Sequence, residues 1–184
     1  MLERPTTDYV NSRLPEFSIF ADADAAIQLA FSTWPRNDQR DQVLAKVVLL
    51  NRLYSTNIYD VHGMAHHIVA QNIEADLVAG DPLLVGRIAM LKLTTGKSRN
   101  NYSFATKYCA WHEPNRFQIY DSRVDAALWA YQEQFKFGSF RRNELGDYTR
   151  FMQIVDTFID HFHLHDLGRK QLDKFLWLEG RDIK

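Results

Sequence analysis

The sequence LKLTTGKSRNNYSFATKYCAWHEPNRFQIYDSRVDAAL, residues 91–128, decides the fold. It begins with a polar turn that contains one glycine, and a run of apolar side chains at helical spacing follows. That helix should stop before Pro114, after which Phe117–Tyr120 reads as a short extended segment. The next helix should begin at a capping residue, Asp121 or Ser122. The stretch therefore predicts helices joined by short polar connections.

The sequence on both sides of this stretch is helical as well. Apolar residues recur at helical spacing in Asp38–Leu53, Ile58–Val69, Asp81–Leu93, Asp147–Phe162 and Gly168–Leu178. Prolines and glycines are few, 5 and 8, and there is no Asn-Gly or Asp-Gly dipeptide of the kind that joins hairpin strands. We predict an all-α fold, a compact single domain of about eight helices spanning residues 1–184.

The composition excludes several classes of protein. Of the 184 residues, 46% are hydrophobic and 24% charged, unlike a disordered, collagen-like or low-complexity chain. No apolar run approaches the ~20 residues of a membrane helix, and the opening MLERPTTDYV lacks the apolar core of a signal peptide. The one cysteine, Cys109, excludes an internal disulfide and suits a reducing compartment, so we expect a cytoplasmic protein.

Charge is unevenly distributed along the chain. The net charge is −1, from 22 basic and 23 acidic residues, which argues against a general polyanion-binding protein. Residues 86–116, however, carry 6 basic side chains and 1 acidic one, whereas residues 1–85 carry 6 and 11. The middle of the chain is a local basic block, which indicates either a solvated helix face or a contact with phosphates.

Phosphate binding is the chemistry that this block suits. A turn that opens a helix displays free backbone N–H groups, and these groups bind phosphate. Lys97 and Arg99 add positive charge at the turn. Asp121 would lie at the N-terminus of the next helix, where the helix dipole stabilises a carboxylate. A carboxylate beside a phosphate-anchoring turn suits chemistry on a nucleotide sugar. Neutral donors near the turn are Asn100, Asn101 and Ser103.

The order of these features resembles the helix-hairpin-helix DNA glycosylase superfamily, in particular its 8-oxoguanine DNA glycosylase-like branch. There, an Asp follows the second hairpin helix in a motif of the type Pro-Val-Asp, and the matching segment here is QIYDSRV, Gln118–Val124. The segment YSTNI, Tyr54–Ile58, followed by Gly63-Met64, is similar to that branch's Ser/Asn-rich loop and later Gly-Met. Leu172–Trp177 is similar to terminal helices of the superfamily.

The resemblance implies a DNA base-excision enzyme, which flips a nucleotide out of the duplex and hydrolyses the N-glycosidic bond of a damaged or modified base. A helix-hairpin-helix region at about 82–112 would hold the phosphates through Gly96–Asn101. Asp121 would stabilise the positive charge that develops on the sugar, or activate the attacking water. The gap in the duplex would be filled, or the opposite base probed, by Asn57, Tyr54 and Ser55.

Further residues and partners follow from the same resemblance. Trp177 and Phe175, on the terminal helix, would line the pocket for the flipped base, and Arg123 would contact DNA. The partner would be double-stranded DNA that carries a damaged or modified base. The enzyme would need no cofactor, would not contact a membrane and would act as a monomer.

The hairpin differs from the family pattern, and this bears on the nucleophile. Where the family reads Leu-Pro-Gly-Val-Gly, this chain has LTTGKS, Leu93–Ser98. Bifunctional members carry a nucleophilic Lys at the start of the second hairpin helix, where Asn100 or Asn101 aligns. Lys107, further along that helix, is the candidate amine, and Lys97 is a second. The departure favours a monofunctional enzyme that uses water.

Two alternatives belong to other functional classes. The chain could keep the helix-hairpin-helix fold as a non-catalytic DNA-binding protein. The segment DHFHLHD, Asp160–Asp166, is dense in metal-ligand types and would suit a metal-dependent phosphohydrolase, although the further ligands of such enzymes are not found. His62 and His66 have i,i+4 spacing without the Glu of a His-Glu-x-x-His motif. We therefore predict no metal site.

Overall fold

The structure is a computed structural model that describes residues 1–93 and 96–183. Within those residues the chain forms helices and one small sheet, so the predicted all-α class is confirmed. The α-helices are α1 (Thr7–Arg13), α2 (Ala21–Thr33), α3 (Arg40–Leu53), α4 (Val61–Ala70), α5 (Glu74–Ala79), α6 (Leu83–Ala89), α7 (Tyr102–His112), α8 (Ser122–Phe135), α9 (Tyr148–Phe162) and α10 (Arg169–Asp182). The remaining elements are 3-10 helices at Leu14–Phe20 and Arg142–Gly146 and the strands β1 (Met90–Lys92) and β2 (Ser98–Asn100). None of the helices in this part of the chain is long and apolar enough to cross a bilayer.

Contacts between residues divide the chain into two units. The terminal unit comprises Met1–Ile19 and Gln118–Lys184, and the central unit comprises Phe20–Phe117. The predicted single domain over residues 1–184 stays a prediction.

The central unit packs α3 against α2 and α4, and α7 against α2, α3 and α6. On α3, Val43, Val47 and Leu50 recur at helical spacing and are fully buried, which gives this helix an apolar face toward its neighbours. The helix α7 is buried from Phe104 to Trp111 and is the innermost helix of the unit. Cys109 lies in this run, where burial raises the pKa of its thiol, so it is a core residue.

The connection between α6 and α7 differs from the predicted polar turn. Strand β1 pairs antiparallel with β2, with Met90 opposite Asn100. The helix predicted to reach Leu93 therefore ends at Ala89, whose carbonyl oxygen accepts from the Asn101 backbone N–H at 2.8 Å. Three-residue strands are too short to show the period-two alternation by which a sequence reveals a strand.

We call β1, β2 and the described residues between them, Leu93, Gly96 and Lys97, the ribbon. It stands where the predicted helix-hairpin-helix region, residues 82–112, would have its turn. Gly96 has a φ of 81°, a left-handed conformation that costs glycine little. Its N–H donates to the Leu93 carbonyl at 2.9 Å, and the Leu93 N–H donates to the Lys97 carbonyl at 2.8 Å. Thr94 and Thr95 of the predicted turn lie outside the described residues.

A buried lysine, Lys46, joins the helices of the central unit. Its ammonium donates to the backbone carbonyls of Trp34 and Arg36, both at 2.9 Å, and to Asn37 Oδ1 at 2.7 Å. These acceptors all belong to the turn between α2 and α3, and they offset the cost of burying a cation. Burial lowers the pKa of Lys46 to about 8.

Asn37 extends this network to other helices. Its Oδ1 also accepts from the Tyr108 hydroxyl at 2.5 Å, and its backbone N–H donates to Glu74 Oε1 at 2.6 Å. His112 Nε2 lies 3.4 Å from Lys46 Nζ, and burial together with the Lys46 charge lowers the pKa of His112 to about 3. The imidazole is therefore neutral and can accept from the ammonium. The network links the α2–α3 turn to α5 and α7.

The terminal unit packs α10 against α8 and α1. Glu179 on α10 is buried and accepts from the hydroxyls of Tyr9 at 3.1 Å and Tyr131 at 2.9 Å, and from Arg13 at 2.9 Å. Burial raises the pKa of Tyr131, so its hydroxyl stays a donor. Three donors compensate the buried carboxylate, and they fix α1 and α8 on α10.

Replacing Lys46 by methionine keeps the volume of the side chain but removes its donors. We expect Lys46→Met to lower the free energy of unfolding at pH 7 by about 2–4 kcal/mol, because the acceptors of the α2–α3 turn are left unpaired. Chemical denaturation followed by circular dichroism measures the change. The control is Lys92→Met on exposed β1, which should change the free energy by less than about 0.5 kcal/mol.

The same variant has a pH signature. The folded protein releases the Lys46 proton near its pKa of about 8, whereas the unfolded chain releases it near 10.5. Between these values the Lys46 site binds more protons in the unfolded chain, so this one group should contribute a rise of up to about 3 kcal/mol in the free energy of unfolding. The contribution should be absent in Lys46→Met, so the difference in free energy between the wild type and the variant should grow with pH. Equal pH dependence in the two proteins would show that folded Lys46 keeps its proton.

Candidate functional site

Asp121, one of the two capping residues that the sequence predicts with Ser122, caps helix α8. Its backbone is extended, and its Oδ1 accepts from the backbone N–H groups of Arg123 at 3.0 Å and Val124 at 3.1 Å. These donors and the positive end of the helix dipole stabilise a carboxylate at this position. Asp121 is half-buried, so its carboxylate is held in a fixed orientation at the protein surface.

The first turn of α8 packs against α10. The Arg123 guanidinium lies 4.0 Å from the centroid of the Trp177 ring, a cation–π contact. Gly180, one turn further along α10, faces the backbone of Arg123 so closely that a Cβ would overlap the Arg123 carbonyl oxygen. A glycine is therefore required where α10 crosses α8, and this crossing positions the helix turn that Asp121 caps.

The two residues predicted to line a base pocket have different environments. Trp177 is half-buried and packs edge-to-face on Phe17, with ring centroids 5.4 Å apart. Phe175 is fully buried and contacts the rings of Tyr9 and Tyr131. The structure places Phe175 in the core of the terminal unit, and Trp177 is the one of the pair with accessible surface.

Lys107 is buried on α7, with 2% of its surface exposed. Its Nζ donates to Ser103 Oγ, one helical turn earlier, at 2.8 Å and lies 5.3 Å from the centroid of the Tyr54 ring. The Trp111 indole N–H donates to the Tyr54 hydroxyl at 3.2 Å and so holds that ring against α7. Three predicted site residues, Tyr54, Ser103 and Lys107, therefore lie together.

Asn51 holds the loop Tyr54–Asp60 in one conformation. Its Oδ1 accepts from the Ile58 backbone N–H at 2.8 Å and the Thr56 hydroxyl at 3.1 Å, and its Nδ2 donates to the Ile58 carbonyl at 3.0 Å. Because alternate residues of the loop turn inward, the side chains left exposed are Ser55, Asn57 and Tyr59. The first two have left-handed φ angles of 51° and 57°.

The predicted phosphate-binding residues of the ribbon differ in exposure. Asn101 is buried, and its Nδ2 lies 3.4 Å from the carbonyl oxygens of Ala89 and Arg99, so it holds the start of α7. The Arg99 guanidinium lies 4.1 Å from the centroid of the Tyr59 ring and connects β2 to the Tyr54–Asp60 loop. The exposed members are Gly96, Lys97 and Asn100.

The predicted site residues thus form one group in each unit. The central group combines Tyr54, Ser103 and Lys107 with the loop and the ribbon, and the terminal group consists of Asp121, Arg123 and Trp177. Two residues that shape the central group, Asn51 and Tyr59, were not predicted. Tyr59 directly follows the YSTNI segment, and this position in the sequence could have marked it as a site residue. The role of Asn51 depends on the folded loop and leaves no such signal.

Histidines of the two segments considered for metal binding contact different partners. His66 Nε2 lies 3.1 Å from the Arg40 guanidinium, and His165 Nε2 lies 3.6 Å from an Asp160 carboxylate oxygen. Across residues 1–93 and 96–183, no group of three or more His, Cys, Asp or Glu side chains could hold a metal ion.

Comparison with known proteins finds a family and a relative. Residues 7–116 match the family HI_0787_N, which is described as an N-terminal domain. The chain belongs to the HI_0787_N family. A relative from Haemophilus influenzae, named an uncharacterized protein, is 38% identical over 144 residues, which are 78% of this chain and 68% of the relative. No solved structure matches the chain with significance.

The HI_0787_N match contains the central group of site residues and ends before Asp121. It includes the Tyr54–Asp60 loop, the ribbon and Lys107. The aligned part of the Haemophilus influenzae relative is longer than this match, so similarity extends beyond the N-terminal domain of the family.

Gly180 and Gly86 are both helical glycines, and they should respond oppositely to alanine. We expect Gly180→Ala to lower the free energy of unfolding by about 1–3 kcal/mol, because the added methyl overlaps the Arg123 carbonyl and forces α10 away from α8. We expect Gly86→Ala in α6 to raise it by about 0.5–1 kcal/mol, because nothing lies within 4 Å of the added Cβ. Thermal unfolding measures both changes in free energy. A free energy of unfolding that is unchanged in Gly180→Ala would contradict the close contact between α10 and α8.

Proposed function

We propose that this protein is a DNA base-excision glycosylase, which hydrolyses the N-glycosidic bond of a damaged or modified base. The observation that carries the proposal is the carboxylate of Asp121, fixed by two backbone donors at the start of α8. It lies in QIYDSRV, the segment that is similar to the glycosylase motif. Catalysis by electrostatic stabilisation requires a charge that is already oriented before the reaction begins.

Asp121 would act on the sugar of the flipped nucleotide. As the bond between the base and C1′ of the deoxyribose breaks, the base leaves with the bonding electron pair and positive charge develops on the sugar. The carboxylate would stabilise that charge, or accept a proton from the water whose oxygen bonds to C1′. Because its Oδ1 is held by α8, the carboxylate needs no reorganisation as the charge develops.

Trp177 is the candidate stacking surface for the flipped base. The Arg123 guanidinium lies 4.0 Å from the centroid of the Trp177 ring, on the ring face where a planar base would stack. A base that displaced Arg123 from the ring would leave the guanidinium available to a phosphate. The same exchange would couple base binding to a backbone contact.

DNA contacts would come from the central unit. The ribbon exposes Gly96, Lys97 and Asn100, and the neighbouring loop exposes Ser55 and Asn57. Cations and amides of this kind bind phosphate oxygens and place a protein on the duplex without reading its sequence. The basic block at residues 86–116 supports this assignment.

The partner we propose is double-stranded DNA that carries a damaged or modified base. The protein would act on it in the cytoplasm, as a monomer and without a cofactor. The one cysteine, Cys109, is buried as a free thiol, which suits a reducing compartment.

A non-catalytic DNA-binding protein is the second candidate. The departure of the hairpin from the glycosylase pattern favours it, because the loop and the ribbon could contact DNA without a catalytic residue. A protein that needed only those contacts would bind DNA without releasing a base.

Asp121→Asn separates catalysis from binding. We expect base release to fall by at least about 100-fold, because the charge that stabilises the sugar is lost. DNA binding should be retained, since Asn caps helices about as well as Asp. Base release is measured as alkali-labile sites on duplexes bearing oxidised, alkylated, deaminated or hypermodified bases, and binding by a mobility shift.

The matched control is Asp147→Asn. Asp147 caps α9 in the same manner, with its Oδ1 accepting from the Arg150 backbone N–H at 2.9 Å, and it should tolerate the change without loss of activity. Base release that survives in Asp121→Asn would contradict the assignment of Asp121. A wild-type chain that binds every duplex and releases no base would support the second candidate.

Borohydride trapping tests the nucleophile. We expect no covalent adduct between the wild-type chain and the substrate duplex, because a monofunctional enzyme attacks with water and forms no Schiff base. The hydrogen bond from Lys107 Nζ to Ser103 Oγ fixes the position of the candidate amine. An adduct that disappears in Lys107→Gln but persists in Lys97→Gln would make Lys107 a nucleophile and the enzyme bifunctional.

A further inference from the structure

Tyr59 combines high exposure with a cation on its ring. The residue is 84% exposed, although the Arg99 guanidinium lies 4.1 Å from its ring centroid. One face of the ring is therefore partly covered, and the rest of the aromatic surface is open to solvent. A single exposed aromatic is common, but one that is held by an arginine from a separate element has a defined orientation.

The loop that carries Tyr59 is fixed by hydrogen bonds at the residues before and after it in the sequence. Before it, the Ile58 backbone N–H and carbonyl are both bonded to the side chain of Asn51. After it, Asp60 caps α4, with its Oδ1 accepting from the Gly63 N–H at 2.7 Å. Stacking on Tyr59 would therefore require little ordering of the protein, which lowers the entropic cost of binding.

The ribbon supplies positive charge beside Tyr59. Arg99 is the middle residue of β2 and pairs with Leu91, which is buried and anchors the ribbon on the central unit. Lys92 and Lys97 are exposed on the same ribbon, and residues 86–112 contain no Asp or Glu. A planar ring beside several cations is the chemistry that binds an unstacked base together with its phosphates.

We propose that Tyr59, oriented by Arg99, is a stacking platform for an unpaired DNA base, and that Arg99 and Lys97 bind the adjoining phosphates. Flipping a nucleotide leaves its partner base unpaired, and such a base loses stacking that an aromatic ring can restore. The inference rests on the DNA partner of the proposed function and not on base excision.

The test uses a duplex with a tetrahydrofuran abasic analogue opposite 2-aminopurine. This DNA presents an unpaired fluorescent base and has no base to release at the analogue, so the result does not depend on glycosylase activity. Wild-type protein should quench the 2-aminopurine fluorescence on binding. Tyr59→Ala should abolish the quenching and weaken binding roughly 5- to 100-fold, whereas Tyr59→Phe should retain both.

The salt dependence of DNA affinity distinguishes the phosphate contact of Arg99 from the stacking contact of Tyr59. Arg99→Ala should reduce the slope of log affinity against log salt by about 0.9, because one phosphate contact is lost. Tyr59→Ala should leave that slope unchanged. On a fully paired duplex, Tyr59→Ala should change the affinity less than about twofold, since no base is available for stacking.

The matched control is Leu29→Ala, which removes an apolar side chain that is 68% exposed on α2 and should change neither quenching nor affinity. Thermal unfolding of Tyr59→Ala should match the wild type because the side chain is exposed, so a loss of binding would not reflect unfolding. Unchanged quenching and affinity in Tyr59→Ala would overturn the proposal, and would leave the surface to a protein partner. Equal losses on paired and unpaired DNA would also overturn it.

Discussion

The buried charge of Lys46 is the interaction on which the central unit depends. An isolated ammonium in the interior would cost several kcal/mol, so the fold must bring acceptors to it. The α2–α3 turn supplies them, and the neutral His112 at the end of α7 lies against the same ammonium. Asn101 holds the other end of α7 through the Ala89 carbonyl. Lys107 is thus carried by a helix that is fixed at both ends by polar contacts.

The terminal unit also buries a charged group, but here the charge is negative. Glu179 is buried where α1, α8 and α10 meet, and two hydroxyls and Arg13 compensate it. The close crossing at Gly180 lies one residue away, so the carboxylate and the glycine together set how α10 meets α8. The orientation of Asp121 follows from that packing. In both units the candidate site is placed by a helix whose position a buried charge determines.

Helical periodicity was enough to predict much of the fold, because it is a local property of the sequence. The sequence predicts the start of α8 at Asp121 or Ser122 and that of α9 at Asp147, and both residues that cap these helices, Asp121 and Asp147, accept from neighbouring backbone N–H groups. Lys46 lies three residues after Val43, on the buried face of α3, and this spacing was a usable sign of a buried lysine. Its acceptors belong to a turn whose geometry exists only after folding. The contact of Tyr59 with Arg99 joins distant parts of the chain, and no local pattern encodes it.

The structure changes what the basic block at residues 86–116 means. Arg87 pairs with Asp76, and Lys107 is buried, so these two charges are engaged within the protein. The ribbon itself presents Lys92, Lys97 and Arg99. A DNA contact made by three cations gives a much shallower salt dependence than the 6–10 phosphate contacts of strongly charged DNA-binding proteins. Affinity of that kind would have to draw on stacking and shape as well as charge, and the Tyr59 ring beside Arg99 is the aromatic surface that we propose for this stacking.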